Sequence, residues 1–154
     1  MEKKKNIYII ITIISIIVVA GLGSLFVALG MDWFNTLNTP SQWINNIVIP
    51  IVWTIIYISF GIILTIWIRK SFIPLDTIIC LIINGLLNII WCLVFFTLQL
   101  TLIGNIVIIL NLIAGYILIS KIFKANTIYG YILSIYPVWL SIATTLNLCL
   151  WILN

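Results

Sequence analysis

The chain has 154 residues, of which 64% are hydrophobic and 6% charged, with seven Lys or Arg, three Asp or Glu, no His and a formal net charge of +4. A water-soluble domain carries about 25% charged residues, so a soluble enzyme or binding module is excluded. The length suits a single domain. The basic excess lies in loop ends and forms no nucleic-acid-binding face.

Five apolar runs, 7–29, 47–68, 77–98, 102–120 and 127–153, make up about three quarters of the chain and contain no charge. A hydrocarbon core about 30 Å thick needs roughly 20 apolar residues at 1.5 Å each. Only helices and closed barrels satisfy their backbone hydrogen bonds in lipid. The runs lack the alternation of barrel strands, which are about half as long. The predicted architecture is an all-α, five-transmembrane-helix bundle occupying residues 1–154 as one domain.

Lys3, Lys4 and Lys5 precede the first span. Within it, Ala20, Ser24 and Ala28 form a small-residue stripe suited to close helix packing. A cleaved signal peptide ending near Gly21, Gly23 and Ser24 is the alternative for this span. The 30–46 connection contains Asp32, Trp33, Pro40 and Trp43. Its tryptophans read either as interfacial anchors or, with Pro40, as a lid over a cavity. In the second span Pro50 precedes Trp53, Tyr57 and Gly61, which step by four. Arg69 and Lys70 follow it, and Asp76 opens the third span, where Asn84, Asn88, Trp91 and Phe95 share one helical face. Residues 99–101 allow only a tight turn, making spans three and four antiparallel neighbours. Span four has Asn105 and Asn111, and Lys121 and Lys124 separate it from span five. There Trp139, Ala143, Asn147 and Trp151 step by four, with Leu146 alongside.

With five spans, all seven Lys and Arg fall on one side. Positive-inside then puts the N-terminus in the cytoplasm, and the 30–46 loop and C-terminus outside, in what reads as a bacterial or archaeal cell membrane. No Asp, Glu, Lys, Arg or His occurs inside a span, which argues against a proton- or sodium-coupled pump. Cys80, Cys92 and Cys149 lack metal-ligand spacing. No nucleophile–base pair or phosphate-binding loop can be assembled, so no catalytic residues and no metal are expected, and no cofactor is required.

Three spans thus each offer a stripe of aromatic and amide groups. One reading is structural, with Asn84, Asn88 and Asn147 acting as interhelical glue. The other is a ligand-binding cavity lined by Trp53, Tyr57, Asn84, Asn88, Trp91, Phe95, Trp139, Ala143, Leu146 and Asn147. Flat aromatic walls with a few polar groups suit a large, flat, mostly apolar ligand such as a porphyrin or a sterol.

At these residues the chain resembles the TspO/MBR family, the tryptophan-rich sensory or translocator proteins. The likeness runs from Trp33, Leu37 and Pro40 through Pro50, Trp53, Tyr57 and Gly61 to Asn84, Asn88, Trp91, Phe95 and Phe96. Its most specific part is the closing Trp139, Ala143, Thr144, Leu146, Asn147, Trp151, Leu153 and Asn154. The resemblance implies a five-helix bundle, often a homodimer, binding tetrapyrroles or other apolar molecules beneath the first loop. It implies a sensor, carrier or regulator of tetrapyrrole levels, with light-dependent porphyrin breakdown as the enzymatic alternative. A third possibility is a membrane interaction protein without a ligand. The chain departs from the family in its first loop, where Trp43 is displaced and a double proline is missing. It also lacks an acidic residue in span four, and Leu148 and Ile152 replace the Tyr and basic residue of the sterol motif.

Overall fold

The computed structural model describes residues 2–40 and 44–154. Its helices are α1 (Glu2–Phe34), α2 (Val48–Lys70), α3 (Leu75–Cys92), α4 (Thr101–Ala125), α5 (Thr127–Leu133) and α6 (Ile135–Leu153), with a π-helical segment Leu93–Thr97 extending α3. Five helical stretches are long and apolar enough to cross a bilayer, α5 and α6 together making the fifth. The chain is an all-helical integral membrane protein.

Local sequence explains where these helices start, break and stop. Pro137 has no N–H to give the carbonyl of Leu133, so the fifth span breaks at Ser134, between α5 and α6. The Asn126 side chain caps α5 by accepting the Tyr129 N–H at 3.0 Å. Gln99 takes a left-handed φ of 58° in the turn between the third and fourth spans. Helix α1 continues beyond residue 29 to Phe34, absorbing the start of the predicted loop. Trp33 therefore rides on the last helical turn instead of in a lid. Helix α4 likewise runs past residue 120 through Lys121 and Lys124. Their long side chains can carry charge to the interface while the backbone stays hydrogen-bonded.

The helices form a ring in the order α1, α2, α5/α6, α4, α3 and back to α1. The α2 and α3 backbones stay apart and meet only through side chains across the centre. All seven Lys and Arg sit at one end of the ring, called here the basic end; the other is the loop end. At the basic end Lys5 Nζ donates to the Arg69 carbonyl at 2.7 Å. Lys121 pairs with Asp76, whose other oxygen accepts the Thr77 N–H at 2.8 Å.

Packing around the ring is uneven. Helices α2, α4, α5 and α6 bury Ile56, Phe60, Leu64, Trp67, Leu118, Ile122, Tyr129, Leu133, Tyr136 and Leu140 in one core nearer the basic end. A second core at the loop end gathers Phe34, Trp91, Cys92, Phe95, Ile108 and Leu150. Helix α1 contributes few buried residues, namely Ile9, Gly23, Gly30 and Phe34. Its remaining surface is largely Ile, Val and Leu facing outward, as lipid permits.

The π segment depends on two glycines. A Cβ on Gly30 of α1 would overlap the Phe96 backbone carbonyl, and one on Gly104 of α4 would lie 2.9 Å from the Phe95 side chain. Thr97 Oγ1 adds a 2.9 Å hydrogen bond to the Phe26 carbonyl. The wide π turn is thus clasped from both sides, which fixes Phe95 at 0% exposure. Gly30→Ala and Gly104→Ala should each destabilise the protein by about 1–3 kcal/mol, the usual cost of overpacking. Gly21→Ala, where a Cβ meets nothing within 4 Å, should be neutral or stabilising by up to about 1 kcal/mol from helix propensity. Thermal unfolding of the three variants in detergent checks both signs.

Candidate functional site

Midway along the bundle the amide and phenol side chains form a polar layer. Asn88 Nδ2 on α3 donates to Tyr57 Oη on α2 at 3.0 Å. Tyr136 on α6 shares its single hydroxyl proton between Asn84 Oδ1 and Asn111 Oδ1, each 3.2 Å away. Asn84 Nδ2 turns back to the Cys80 carbonyl at 2.8 Å. Nearer the loop end, Asn147 Nδ2 donates to Asn105 Oδ1 at 3.1 Å. Four of the five spans are therefore tied through side-chain hydrogen bonds in a region from which bulk water is excluded.

Aromatic rings stack on the loop side of this layer. Trp53 lies 5.7 Å from Tyr57 with their planes 25° apart, 6.4 Å from Trp91 and 6.4 Å from Tyr136. Trp91 stacks on Phe95 at 6.4 Å and 28°, and Trp33 meets Phe95 edge-on at 5.8 Å. Trp53 is only half-buried and packs against both cores, so it bridges the two halves of the bundle.

The stripes read from the sequence thus converge inside the ring. Trp91, Phe95, Trp139, Asn84, Asn88 and Asn147 are buried, while Trp53, Tyr57, Ala143 and Leu146 are half-buried. Two stripe members do not join them: Trp151 is 43% exposed, and Gly61 faces Ile16 of α1. Three participants escaped the sequence reading. Tyr136 sits one turn before Trp139 and was hidden because the span breaks there. Asn105 and Asn111 were noted only as polar residues of span four. The helical pattern Asn105, Ile108, Asn111, Gly115, Leu118, Ile122 marks them, because every one of those positions is buried.

An open volume adjoins the polar layer on its basic side. A cavity of about 770 Å³ occupies the basic half of the bundle, between α1, α2 and α3. Tyr57, Asn84, Asn88 and Tyr136 lie at its inner end, and Tyr8 and Phe72 near its outer end. None of the described tryptophans lines it. In the loop half the rings pack on one another.

The first loop is fastened to the end of α6. Asn38 N donates to Asn154 Oδ1 at 2.8 Å, and Asn154 Nδ2 returns a bond to the Asn38 carbonyl at 3.1 Å. Pro40 follows this clasp and is half-buried, whereas Trp43 lies outside the described residues.

Two measurements probe these contacts. Tyr136→Phe removes the shared donor and should cost about 1–2 kcal/mol, the upper range for interhelical hydrogen bonds in membranes, read from denaturant unfolding. Asn154→Ala removes a pair of exposed hydrogen bonds worth about 1 kcal/mol each. It should speed amide hydrogen exchange at Asn38 by about tenfold while leaving the spans protected.

The TspO/MBR family model matches residues 11–152, from the first span to within two residues of the chain end. No individual curated protein matches the chain. The matched region takes in every helix, the aromatic stack, the polar layer and most of the closing Trp–Asn motif. On its sequence and its five-helix ring, this chain belongs to the TspO/MBR family.

Proposed function

We propose that this membrane protein binds tetrapyrroles, or similarly flat apolar molecules, in its Trp- and Asn-lined interior, and serves as a sensor, carrier or regulator of their level. One observation carries this reading. Trp91 Nε1, Asn105 Nδ2, Asn111 Nδ2 and Trp139 Nε1 are buried without a hydrogen-bond partner among the described residues. Each such group costs about 1–3 kcal/mol when left unmade. All four are donors, and they belong to the convergent faces of α3, α4 and α6.

A ligand with an apolar plane and acceptor groups at its rim answers that arrangement. Its plane would stack on indole and phenol faces, and its edge would take up the spare indole and amide N–H groups. Trp53 is the side chain best placed to yield, being half-buried and held by apolar and ring contacts. The chain has no His, and none of the residues around the aromatic stack and polar layer is Asp, Glu, Lys or Arg, which leaves this interior without acid–base machinery of that kind. Binding and release therefore suit it better than hydrolytic chemistry.

Protoporphyrin titrated into detergent-solubilised protein should quench tryptophan fluorescence saturably. Replacing both Trp53 and Trp139 by Phe should weaken binding about tenfold, since each aromatic contact contributes about 0.5–1.5 kcal/mol beyond its area. Unchanged affinity in the double variant would refute this placement of the ligand.

A further inference from the structure

The cavity in the basic half is not the aromatic interior, and its chemistry is different. About 770 Å³ in volume, it lies within the size range of ligand sites and is lined by α1, α2 and α3, with Leu118 and Tyr136 behind. Its walls are mostly Ile, Leu, Val and Phe, with Thr12 and Ser15 on the α1 side and no Asp, Glu, Lys or Arg. Along α3 it spans Ile78 to Ile89, about 16 Å at 1.5 Å per residue. Ile14 and Val18 on α1, with Ile82 and Leu86 on α3, both line it and face outward. The chamber therefore opens sideways into the hydrocarbon. Helix α1 approaches α3 closely at Gly85, where an added Cβ would lie 3.2 Å from Val19, and again at Gly23 beside Cys92. On the basic side of that crossing the two helices flank the opening.

The inner end of the chamber is polar and neutral. Asn88 lines this end, and its Oδ1, covered by packing, has no partner among the described residues. Tyr57 Oη accepts from Asn88 Nδ2 at 3.0 Å, which leaves the phenol proton to donate. One spare acceptor and one spare donor, side by side, match a group that both donates and accepts. A carboxylate or an ammonium would arrive there without a counter-charge, at high desolvation cost.

We propose that this chamber is a second binding site, which takes a hydroxyl-bearing, uncharged, long-chain lipid from the bilayer. The hydroxyl sits between Asn88 and Tyr57, and the chain runs along α1 and α3 toward Tyr8 and Phe72. The occupant reaches it between α1 and α3 without passing the first loop.

The test uses two photoreactive probes in vesicles holding the full-length protein: a C16 alcohol carrying a chain diazirine, and the matching alkane. Labelling mapped by mass spectrometry should fall on 11–19 and 78–89 and favour the alcohol about tenfold. Asn88→Leu should abolish that preference while alkane labelling persists, which separates loss of the hydroxyl contact from loss of fold. Ser15→Phe, which fills the chamber from its lipid side, should suppress labelling by both probes and leave protoporphyrin quenching of tryptophan unchanged. Equal labelling by alcohol and alkane in the wild-type protein, or labelling insensitive to Ser15→Phe, would overturn the proposal. So would displacement of the alcohol by stoichiometric protoporphyrin, because the two sites would then be one.

Discussion

The structure depends on a layer of uncharged hydrogen-bonding side chains placed where water cannot reach. Tyr57, Asn84, Asn88, Asn111 and Tyr136 join α2, α3, α4 and α6 at mid-bundle. In hydrocarbon an apolar face gains little by meeting another apolar face, because lipid tails solvate it equally well. Shape and polar pairing must therefore decide which faces turn inward. The amides do so here, and the indoles follow because they lie on the same faces.

That layer also divides the interior into unlike halves. On the loop side, bulky rings fill the space between helices, clasped at one edge by the π segment and its two glycine neighbours. On the basic side the α2 and α3 backbones stay apart, and α1 offers aliphatic side chains too few and too peripheral to fill the gap. Unspent hydrogen-bonding capacity concentrates in and beside the layer, on Asn88, Trp91, Asn105, Asn111 and Trp139.

The spans were legible because lipid imposes a length and forbids charge, and no tertiary detail enters that argument. The faces of α3 and α6 were legible as well, since Asn84, Asn88, Trp91 and Trp139 repeat at helical spacing and are all buried. Boundaries were less so. The polar residues after residue 29 look like a loop, yet the backbone keeps its hydrogen bonds as far as Phe34. Tyr136 was overlooked because Pro137 interrupts the periodicity around it. Asn111 could not be assigned a role until Tyr136 was known to lie opposite.

By itself, the sequence determined that this chain crosses the membrane five times with its basic residues at one end, and that amides and indoles share helix faces. Both follow from the cost of leaving charge or unpaired backbone in hydrocarbon. Only the tertiary structure decided the circular order of the helices, the π turn held between Gly30 and Gly104, and the location of the open chamber. An empty volume depends on where five helices fail to touch, and residue spacing along any one helix carries no record of the distance to its neighbours.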